Sequence, residues 1–397
     1  MRVLFVTLFA LETNTSVTKS NYGLIKGLQE LDCSIDLLMP EINETLAYYD
    51  DFYNLSNINI IRIKNNSMSQ QIVSASKKIT GYKAKIYDIL KKLYFKTQVF
   101  DRTKALIKKA KEIDVYHTYY DIVISTSDPK TSHLFTAELI KNGLSYGKWI
   151  QHWGDPLSGD ITKRNIYPEF MIKKIEKNMI SKADSIVYVS PFTHREQKKK
   201  YHPLREKMQF APLPCDPGHT TETEVLINPL NIKMAYLGDY NSSIRDILPL
   251  YEAVKSCENI KLIIAGNTDL NLYNTDNITI YPRLPQTRIK EIEDSVDIIV
   301  SIGNRRGTQI PGKIYYAASS EKIILVTVDG DSTDEMYHYL NSYGRFICCK
   351  NTADDIRKTI SALTKQKKIE ISAPTQLYPK QIMTQILTNT GMEIKTT

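Results

Sequence analysis

Two short glycine-containing stretches in the second half of the sequence combine basic residues with residues typical of helix starts. The stretch GDYNSSIRD offers Gly238 for close backbone approach, the serines Ser242 and Ser243 as a helix start, and Arg245 inside the first turn. The stretch GNRRGTQIPGK has three glycines, two arginines and Lys313 at the head of the next helix. Helix amides beside an Arg or Lys are typical of anion sites.

Taken alone, each stretch is also explained by an ordinary helix cap. Two cationic, glycine-containing helix starts in one domain, however, suit a diphosphate better than a lone carboxylate. We therefore expect a phosphorylated ligand where these two loops meet.

Motifs of several other enzyme classes are absent from the sequence. It has no G-x-G-x-x-G after the first strand and no G-x-x-x-x-G-K-[ST], which disfavours a nicotinamide dehydrogenase and a P-loop enzyme. It has no G-x-S-x-G, and its seven histidines show no metal-ligand spacing. Asp329 and Asp331 are the kind of carboxylate pair that metal-dependent sugar transferases use, but they come late in the chain. We expect no metal and no cofactor.

The elements that must position these loops follow a regular alternation. Apolar strand-like runs alternate with helical patterns, which indicates β-α-β units with parallel sheets covered on both faces. In the first half the strand-like runs are RVLFVTLF, SIDLLMP, DIVISTS, KWIQHW and SIVYVS. In the second half the strand-like runs are IKMAYLG, IKLIIAG, ITIYPRL, DIIVSIG and KIILVTV, with helices predicted over SIRDILPLYEAVKSC and QTRIKEIEDS.

The chain of 397 residues exceeds what one hydrophobic core usually serves, so two domains are expected. The stretch APLPCDPGHTTETEVLINPLN, residues 211–231, interrupts the alternation with four prolines and is interpreted as an interdomain linker. The predicted domains are 1–215 and 216–397, with the last helix packing back on the first domain. The fold class is α/β, with two doubly wound, Rossmann-like domains facing a cleft.

Basic residues are concentrated in the first half of the chain. Residues 1–215 hold 32 Lys and Arg against 22 Asp and Glu, and residues 62–111 alone hold 14 against two. Within that segment, IYDILKKLYFK predicts a basic amphipathic helix flanked by Lys85, Lys91, Lys92 and Lys96. Two interpretations are open, namely a membrane-surface helix and a solvated helix packed on its own domain.

The five cysteines form no C-x-x-C pair, which argues against a disulfide framework and favours a reducing compartment. The amino-terminal apolar run meets Glu12 without a cleavage-site pattern, so it predicts a buried strand and not a signal peptide. No run of about 18 apolar residues occurs. The expected location is the cytoplasm, with a peripheral position on the inner face of the plasma membrane under the first interpretation of the basic helix.

The order of four segments resembles the two-Rossmann (GT-B) glycosyltransferases, specifically the retaining family 4 and its bacterial polysaccharide-synthesis members. The segments are RVLFVTLFALETNTSVTKSNYGLIKGLQELDCSIDLL, WIQHWGDP, KADSIVYVSPFTHREQKKKY and PGKIYYAASSEKIIL. The last is similar to the family pattern P-S-K-L-x-E-Y-x-A-x-G-K-P-I-L. Tyr316 stands where the family usually has a ribose-binding glutamate.

The resemblance implies a role for each matching position. It implies that Arg245 and Lys313 bind the donor diphosphate, and that the segment from Gly303 to Ile310 holds the sugar. That segment includes Asn304, Thr308 and Gln309. Arg283 and Leu284 fall in the base-contacting segment, and Asn14, Thr15 and Ser16 in a first loop that approaches the phosphates. His152 and Asp155 match the acceptor side and are the catalytic candidates.

The implied reaction transfers a sugar from a nucleotide-diphosphate sugar to a glycan or lipid-linked acceptor, with retention and without a metal, in surface polysaccharide synthesis. In that mechanism the acceptor hydroxyl attacks from the leaving-group face and the departing phosphate takes its proton. A nucleotide sugar is the expected partner, an anionic membrane surface fits the basic helix, and no nucleic acid is expected. Two alternatives stay open: a nucleotide-sugar 2-epimerase, and a catalytically silent subunit of a glycan-assembly complex.

Overall fold

A computed structural model of the protein describes residues 1–42, 49–64, 98–162, 166–216, 222–330, 333–366, 368–372 and 374–394. The predicted basic amphipathic helix and Asp331 lie outside these residues.

The chain divides into two compact units that exchange segments. Unit 1 consists of Met1–Thr13, Leu28–Ala211 and Thr384–Thr397, and unit 2 of Asn14–Gly27 and Pro212–Met383. The main division at Ala211 falls at the start of the proline-rich stretch 211–231. The stretch is more than a linker, because Thr223–Val225 within it forms a strand of unit 2.

Unit 1 contains a parallel sheet of seven described strands in the order β3-β2-β1-β4-β5-β6-β7. The strands are β1 (Arg2–Val6), β2 (Ser34–Pro40), β3 (Asn59–Ile63), β4 (Tyr119–Ser127), β5 (Ser145–Trp153), β6 (Ser185–Tyr188) and β7 (Met208–Phe210). The first helix is α1 (Ser16–Gln29), whose residues fall in both units, and unit 1 further contains α2 (Thr131–Lys141), α3 (Glu169–Ile180), α4 (Pro191–Lys200) and the 3₁₀ segments Arg102–Glu112 and His202–Lys207.

Unit 2 contains a second parallel sheet of six described strands in the order β11-β10-β9-β12-β13-β14, and an antiparallel pair β15-β8. The strands are β8 (Thr223–Val225), β9 (Ile232–Leu237), β10 (Ile260–Ala265), β11 (Ile278–Tyr281), β12 (Ile298–Ile302), β13 (Ile323–Val328), β14 (Ile347–Lys350) and β15 (Ile369–Ile371). The helices are α5 (Leu248–Lys255), α6 (Gln286–Ser295), α7 (Gly312–Tyr316), α8 (Thr333–Asn341) and α9 (Ala353–Thr364), with 3₁₀ turns at Ala317–Ser319 and Thr375–Leu377. The last helix, α10 (Pro379–Asn389), begins in unit 2 and belongs to unit 1 from Thr384 onwards.

These sheets confirm the predicted α/β class with two doubly wound halves. β2 and α6 have the bounds that the pattern predicted. The amino-terminal apolar run is the strand β1, which is buried between β2 and β4. Each unit has its own apolar core, with Leu4 and Trp149 in one and Ile264 and Leu325 in the other. Over the described residues, no helix has the length and apolarity needed to cross a bilayer.

Candidate functional site

Three adjacent strands of unit 2 end at one edge of the sheet and lead into the loops that hold the predicted residues. β9, β12 and β13 lie side by side and run parallel, so their carboxyl ends share an edge. β9 is followed by Gly238, and β12 is followed by the loop from Gly303 to Pro311, which enters α7. Open parallel sheets bind ligands at this edge.

Lys313, the second residue of α7, has a buried ammonium group with no hydrogen-bond partner in the described structure. Its Nζ lies 3.9 Å from the centroid of the Tyr236 ring, a cation–π contact. Burial, reinforced by the nearby Arg245, lowers the pKa of the Lys313 ammonium well below its usual value. A buried cation with no anion is costly, and a bound anion would remove that cost.

Gly238 makes room for this lysine. The residue has φ +141°, and a Cβ atom there would lie 2.5 Å from Lys313 Nζ. Its amide donates to the carbonyl of Ala265 at 2.7 Å, which fixes the turn at the end of β9. The close approach that the sequence predicted at Gly238 is therefore filled by the Lys313 side chain.

Arg245 is held between the two predicted loops. Its Nε donates to Asn304 Oδ1 at 3.0 Å, and its Nη1 donates to the carbonyl of Asp239 at 3.3 Å. Asn304 is itself fixed, because its Nδ2 donates to the carbonyl of Gln309 at 2.9 Å. The structure thus brings Arg245 and Asn304 together near Lys313.

The predicted helix start at Ser242 and Ser243 is wrong. α5 begins at Leu248, and Arg245 lies in the preceding loop. Residues 242–244 form a turn, in which Asp269 accepts from the amide and hydroxyl of Ser242, and Asn241 accepts from those of Ser243. Pro249, in the first turn of α5, fits a helix that starts later.

The structure also gives less weight to the helix amides near Lys313 as an anion site than the sequence did. α7 has only five residues, too few to develop a useful macrodipole, so the positive charge at this edge comes from side chains. Of the two arginines in the loop, Arg305 donates to the carbonyl of Ser242 at 2.9 Å. Arg306 is exposed and has no partner in the described part of the chain.

Arg283 and Leu284 follow β11 and border this edge. Arg283 Nη2 lies 2.8 Å from Asp239 Oδ2, in a partly exposed ion pair. The carbonyl of Leu284 accepts from Asn14 Nδ2 at 2.7 Å. Asn14 is therefore placed beside the segment predicted to contact the base, and both belong to unit 2.

The start of α1 is fixed by contacts of Thr15, Ser16 and Tyr316. Thr15 Oγ1 accepts from the amide of Thr18 at 3.3 Å, which is an N-cap contact. The buried Tyr316 donates its hydroxyl to the carbonyl of Ser16 at 2.9 Å and packs beside Gly312. Tyr316 consequently ties the start of α1 to α7.

Sequence reasoning missed Lys19, which adds a further cation near Lys313. Lys19 Nζ lies 3.2 Å from Asp216 Oδ2 and 5.9 Å from the centroid of the Tyr316 ring. Burial alone lowers the pKa of Lys19, but Asp216 and Glu293 outweigh it and raise the pKa. The sequence could have indicated Lys19 as a site residue, because it lies in the first turn of α1, directly after the predicted loop.

His152 lies at the carboxyl end of β5 in unit 1, with its ring buried. Both ring nitrogens lack a partner in the described structure, and burial lowers the pKa of His152 to about 4. The ring is therefore neutral at pH 7. His133, at the start of α2, bonds through Nδ1 to Ser125 Oγ at 2.8 Å and stacks 4.5 Å from Trp153. Burial also lowers the pKa of His133, so it is neutral too.

Asp155 belongs to a charged cluster that the sequence did not predict. The buried Lys130 ammonium lies 2.7 Å from Asp128 Oδ1 and 3.2 Å from Asp160 Oδ2. Burial alone lowers the pKa of Lys130, but Asp128, Asp160 and Asp155 raise it above its usual value. Lys130 thus ties together the loops that follow β4 and β5.

Asp329 is occupied by protein contacts. It accepts from the amide of Gly330 at 2.8 Å and from Asn351 Nδ2 at 3.2 Å. Its predicted companion, Asp331, lies outside the described residues. In the described ranges, no three His, Cys, Asp or Glu side chains are grouped so as to hold a metal ion.

The fold is shared with known glycosyltransferases at low sequence identity. The lipopolysaccharide outer core galactosyltransferase WaaB is similar over 98% of this chain and 99% of its own, with a TM-score of 0.54 and 10% identity. HepE from Anabaena, solved with UDP and glucose, is similar over 98% and 97%, with a TM-score of 0.52 and 10% identity. AviGT4, a glycosyltransferase involved in avilamycin A biosynthesis, is similar over 98% of this chain and 97% of its own, with a TM-score of 0.52 and 12% identity.

No protein-family model matches the chain, and no curated protein matches it either. The identities to the solved structures are low enough that the likeness establishes the fold alone. That fold is the GT-B fold, with two Rossmann-like domains, as the sequence predicted.

Proposed function

We propose that the chain is a glycosyltransferase that moves a sugar from a nucleoside-diphosphate sugar to a glycan or lipid-linked acceptor. The observation that carries this proposal is the Lys313 ammonium, which is buried beside Arg245 at the carboxyl edge of the unit 2 sheet and has no hydrogen-bond partner among the described residues. An unpaired buried cation next to a second cation calls for an anion with more than one charge. A diphosphate supplies that charge.

The same two cations suit the chemistry of the leaving group. When the bond between the sugar and the phosphate breaks, negative charge grows on the diphosphate. Lys313 and Arg245 stabilise that charge without moving, because Arg245 is already fixed by Asn304 and by the Asp239 carbonyl. No protein nucleophile is needed when the departing phosphate takes the proton of the acceptor hydroxyl. We include retention of configuration and metal independence in the proposal.

Other residues have narrower roles in this proposal. The segment from Gly303 to Ile310 holds the sugar, and Arg283 with the Leu284 backbone borders the base. The neutral His152 ring can donate one hydrogen bond and accept another, which suits a sugar or acceptor hydroxyl better than a phosphate. UDP is the first nucleotide to test, because HepE, which shares the fold, was solved with UDP and with UDP-glucose.

Titration of the protein with UDP tests the donor site. We expect Arg245→Ala and Lys313→Ala each to weaken UDP binding about 10- to 100-fold, equivalent to about 1.5–3 kcal/mol for a charge-assisted contact. Lys358→Ala is the matched control, because this exposed lysine of α9 lies outside the site loops and has no partner in the described structure, so the variant should bind UDP like the wild type. The affinity of the wild-type protein for UDP should change less than about twofold when EDTA is added, as expected if side chains replace a divalent ion.

Equal UDP affinity in all three variants would remove the diphosphate assignment. A loss of binding in EDTA that Mg²⁺ restores would instead favour a metal-dependent site. A second nucleoside diphosphate, such as GDP, run in parallel separates a wrong base from a wrong ligand class.

Incubation with UDP-glucose, or with the nucleotide sugar of whichever base binds, then separates the activity classes. A transferase releases the nucleoside diphosphate slowly without acceptor and faster with one. A 2-epimerase interconverts the free nucleotide sugars with no acceptor present. A silent subunit binds the nucleotide and does neither, and either of the last two outcomes overturns the proposed transfer.

A further inference from the structure

A group of exposed apolar side chains lies at the start of α3 in unit 1. Ile166 is 64% exposed, Phe170 72% and Met171 40%. Phe170 and Met171 occupy the first turn of α3, and Ile166 precedes the helix. The opposite side of this helix is buried in unit 1 through Ile172, Glu176, Met179 and Ile180. The exposed apolar residues therefore take no part in the core.

Lysines continue the outer side of the same helix. Lys174 and Lys177 follow Phe170 at intervals of four and three residues, so they lie on the same side. Neither lysine has an ion pair or hydrogen bond in the described structure. The acidic residues of α3 do not oppose this charge, because Glu169 pairs with Lys173 at 2.9 Å and Glu176 is buried.

We propose that this α3 surface, made of Ile166, Phe170, Met171, Lys174 and Lys177, docks the protein on an anionic lipid bilayer. Protruding apolar side chains enter the headgroup boundary without needing a complementary pocket, and lysines beside them contact lipid phosphates. The charge of the surface itself agrees, since Lys174 and Lys177 are exposed and have no acidic partner in the described structure. A protein partner would have to supply both an apolar pocket and acidic groups.

This docking goes beyond the proposed transfer reaction and does not rest on it. It uses described residues of α3, whereas the basic helix predicted over 86–96 lies outside the described residues. If both proposals hold, the bilayer also supplies a lipid-linked acceptor.

Vesicle sedimentation with the full chain tests the proposal. The wild type should bind vesicles that contain phosphatidylglycerol and not vesicles of phosphatidylcholine alone, and raised salt should release it. Phe170→Ser with Met171→Ser, and separately Lys174→Gln with Lys177→Gln, should each weaken binding about tenfold. Residual binding should stay salt-sensitive in the serine pair and become less so in the glutamine pair.

Matched changes in unit 2 serve as controls. Tyr273 is 75% exposed, and Lys358 and Lys365 are exposed without a partner in the described chain. Tyr273→Ser, and Lys358→Gln with Lys365→Gln, should leave vesicle binding unchanged. UDP affinity is measured on every variant, so that failure of docking and failure of the donor site are separate results.

Insertion has its own readout. Phe170→Trp should show a blue-shifted emission with anionic vesicles and quenching by brominated lipid, whereas Trp149 and Trp153 are buried and should not respond. No wild-type binding to anionic vesicles, or equal binding by the α3 variants, overturns the proposal. A change of oligomeric state in Phe170→Ser without a change in vesicle binding would overturn it in favour of a protein interface.

Discussion

At the scale of the residue, Lys313 combines a functional role with a stability cost. Its ammonium is buried beside Arg245 with no hydrogen-bond partner in the part of the chain that the structure describes, and its pKa is lowered from the 10.5 of a free lysine. Between the folded and unfolded pKa values the unfolded chain binds more protons, so wild-type stability rises with pH across that window. A residue selected only for stability would not carry this charge.

We therefore expect Lys313→Met to raise the free energy of unfolding at pH 7 by about 1–2 kcal/mol while it weakens UDP binding. The same change should remove part of the rise in stability between pH 7 and pH 10. Urea unfolding at several pH values measures both effects. A variant that is less stable than the wild type at every pH would show that Lys313 mainly supports the fold.

His152 makes stability rise with pH as well, but in the acid range. Its pKa is about 4 in the folded protein and near 6.5 in an unfolded chain. Stability from the neutral ring is thus complete above pH 6.5 and is lost as the pH falls towards 4, by about 3 kcal/mol in total. His152→Gln should lose that much less stability over this range, as judged by urea midpoints. Identical acid profiles would contradict burial of a neutral ring.

At the scale of the element, the turn after β9 requires a glycine, Gly238. Gly238 has φ +141°, and a Cβ atom there would meet Lys313 Nζ at 2.5 Å. Gly238→Ala should cost about 2 kcal/mol of stability through backbone strain and should also weaken UDP binding by displacing Lys313. Thermal unfolding and UDP titration measure the two effects.

Gly143 provides the comparison for that turn. It has φ +101°, but a Cβ atom there would meet nothing within 4 Å. Gly143→Ala should therefore show the backbone cost alone, with normal UDP affinity. Equal UDP affinity in the two alanine variants would show that the space beside Gly238 is not needed for binding.

At the scale of the whole molecule, the exchange of segments makes each unit depend on distant parts of the chain. In unit 1, Gln209 Nε2 donates to the carbonyl of Ile386 at 3.3 Å, and Gln385 Nε2 donates to the carbonyl of Phe210 at 2.8 Å. In unit 2, a Cβ on Gly27 of α1 would lie 2.2 Å from the Pro379 carbonyl, so α1 and α10 pack closely. A cut at residue 215 separates all of these partners.

We expect a fragment of residues 1–215 to be less stable than unit 1 of the intact chain by at least about 3 kcal/mol. The lost burial of Ile386 and Leu387 alone is worth about that much. Urea unfolding of the fragment and of the intact chain makes the measurement. Co-expression with residues 216–397 should restore stability, and a fragment that is equally stable alone would contradict the dependence on the carboxyl-terminal segment.

The sequence by itself determined the periodic features of this protein. Buried parallel strands need near-continuous apolar runs, so β2 and the alternation of strands with helices could be predicted from hydrophobic pattern alone. The site loops could be located because ligands of parallel sheets bind after the strands, which directed attention to Arg245 and Lys313. These inferences need only local pattern and chain order.

Only the tertiary structure decided which side chains are buried and paired. α5 begins at Leu248, and Ser242 is instead held by a contact with Asp269, 27 residues away along the chain. Lys130 pairs with Asp160, and Lys19 with Asp216, across separations that carry no sequence signal. Burial and ion pairing depend on distances between elements, and the folded chain sets those distances through packing that no local window contains.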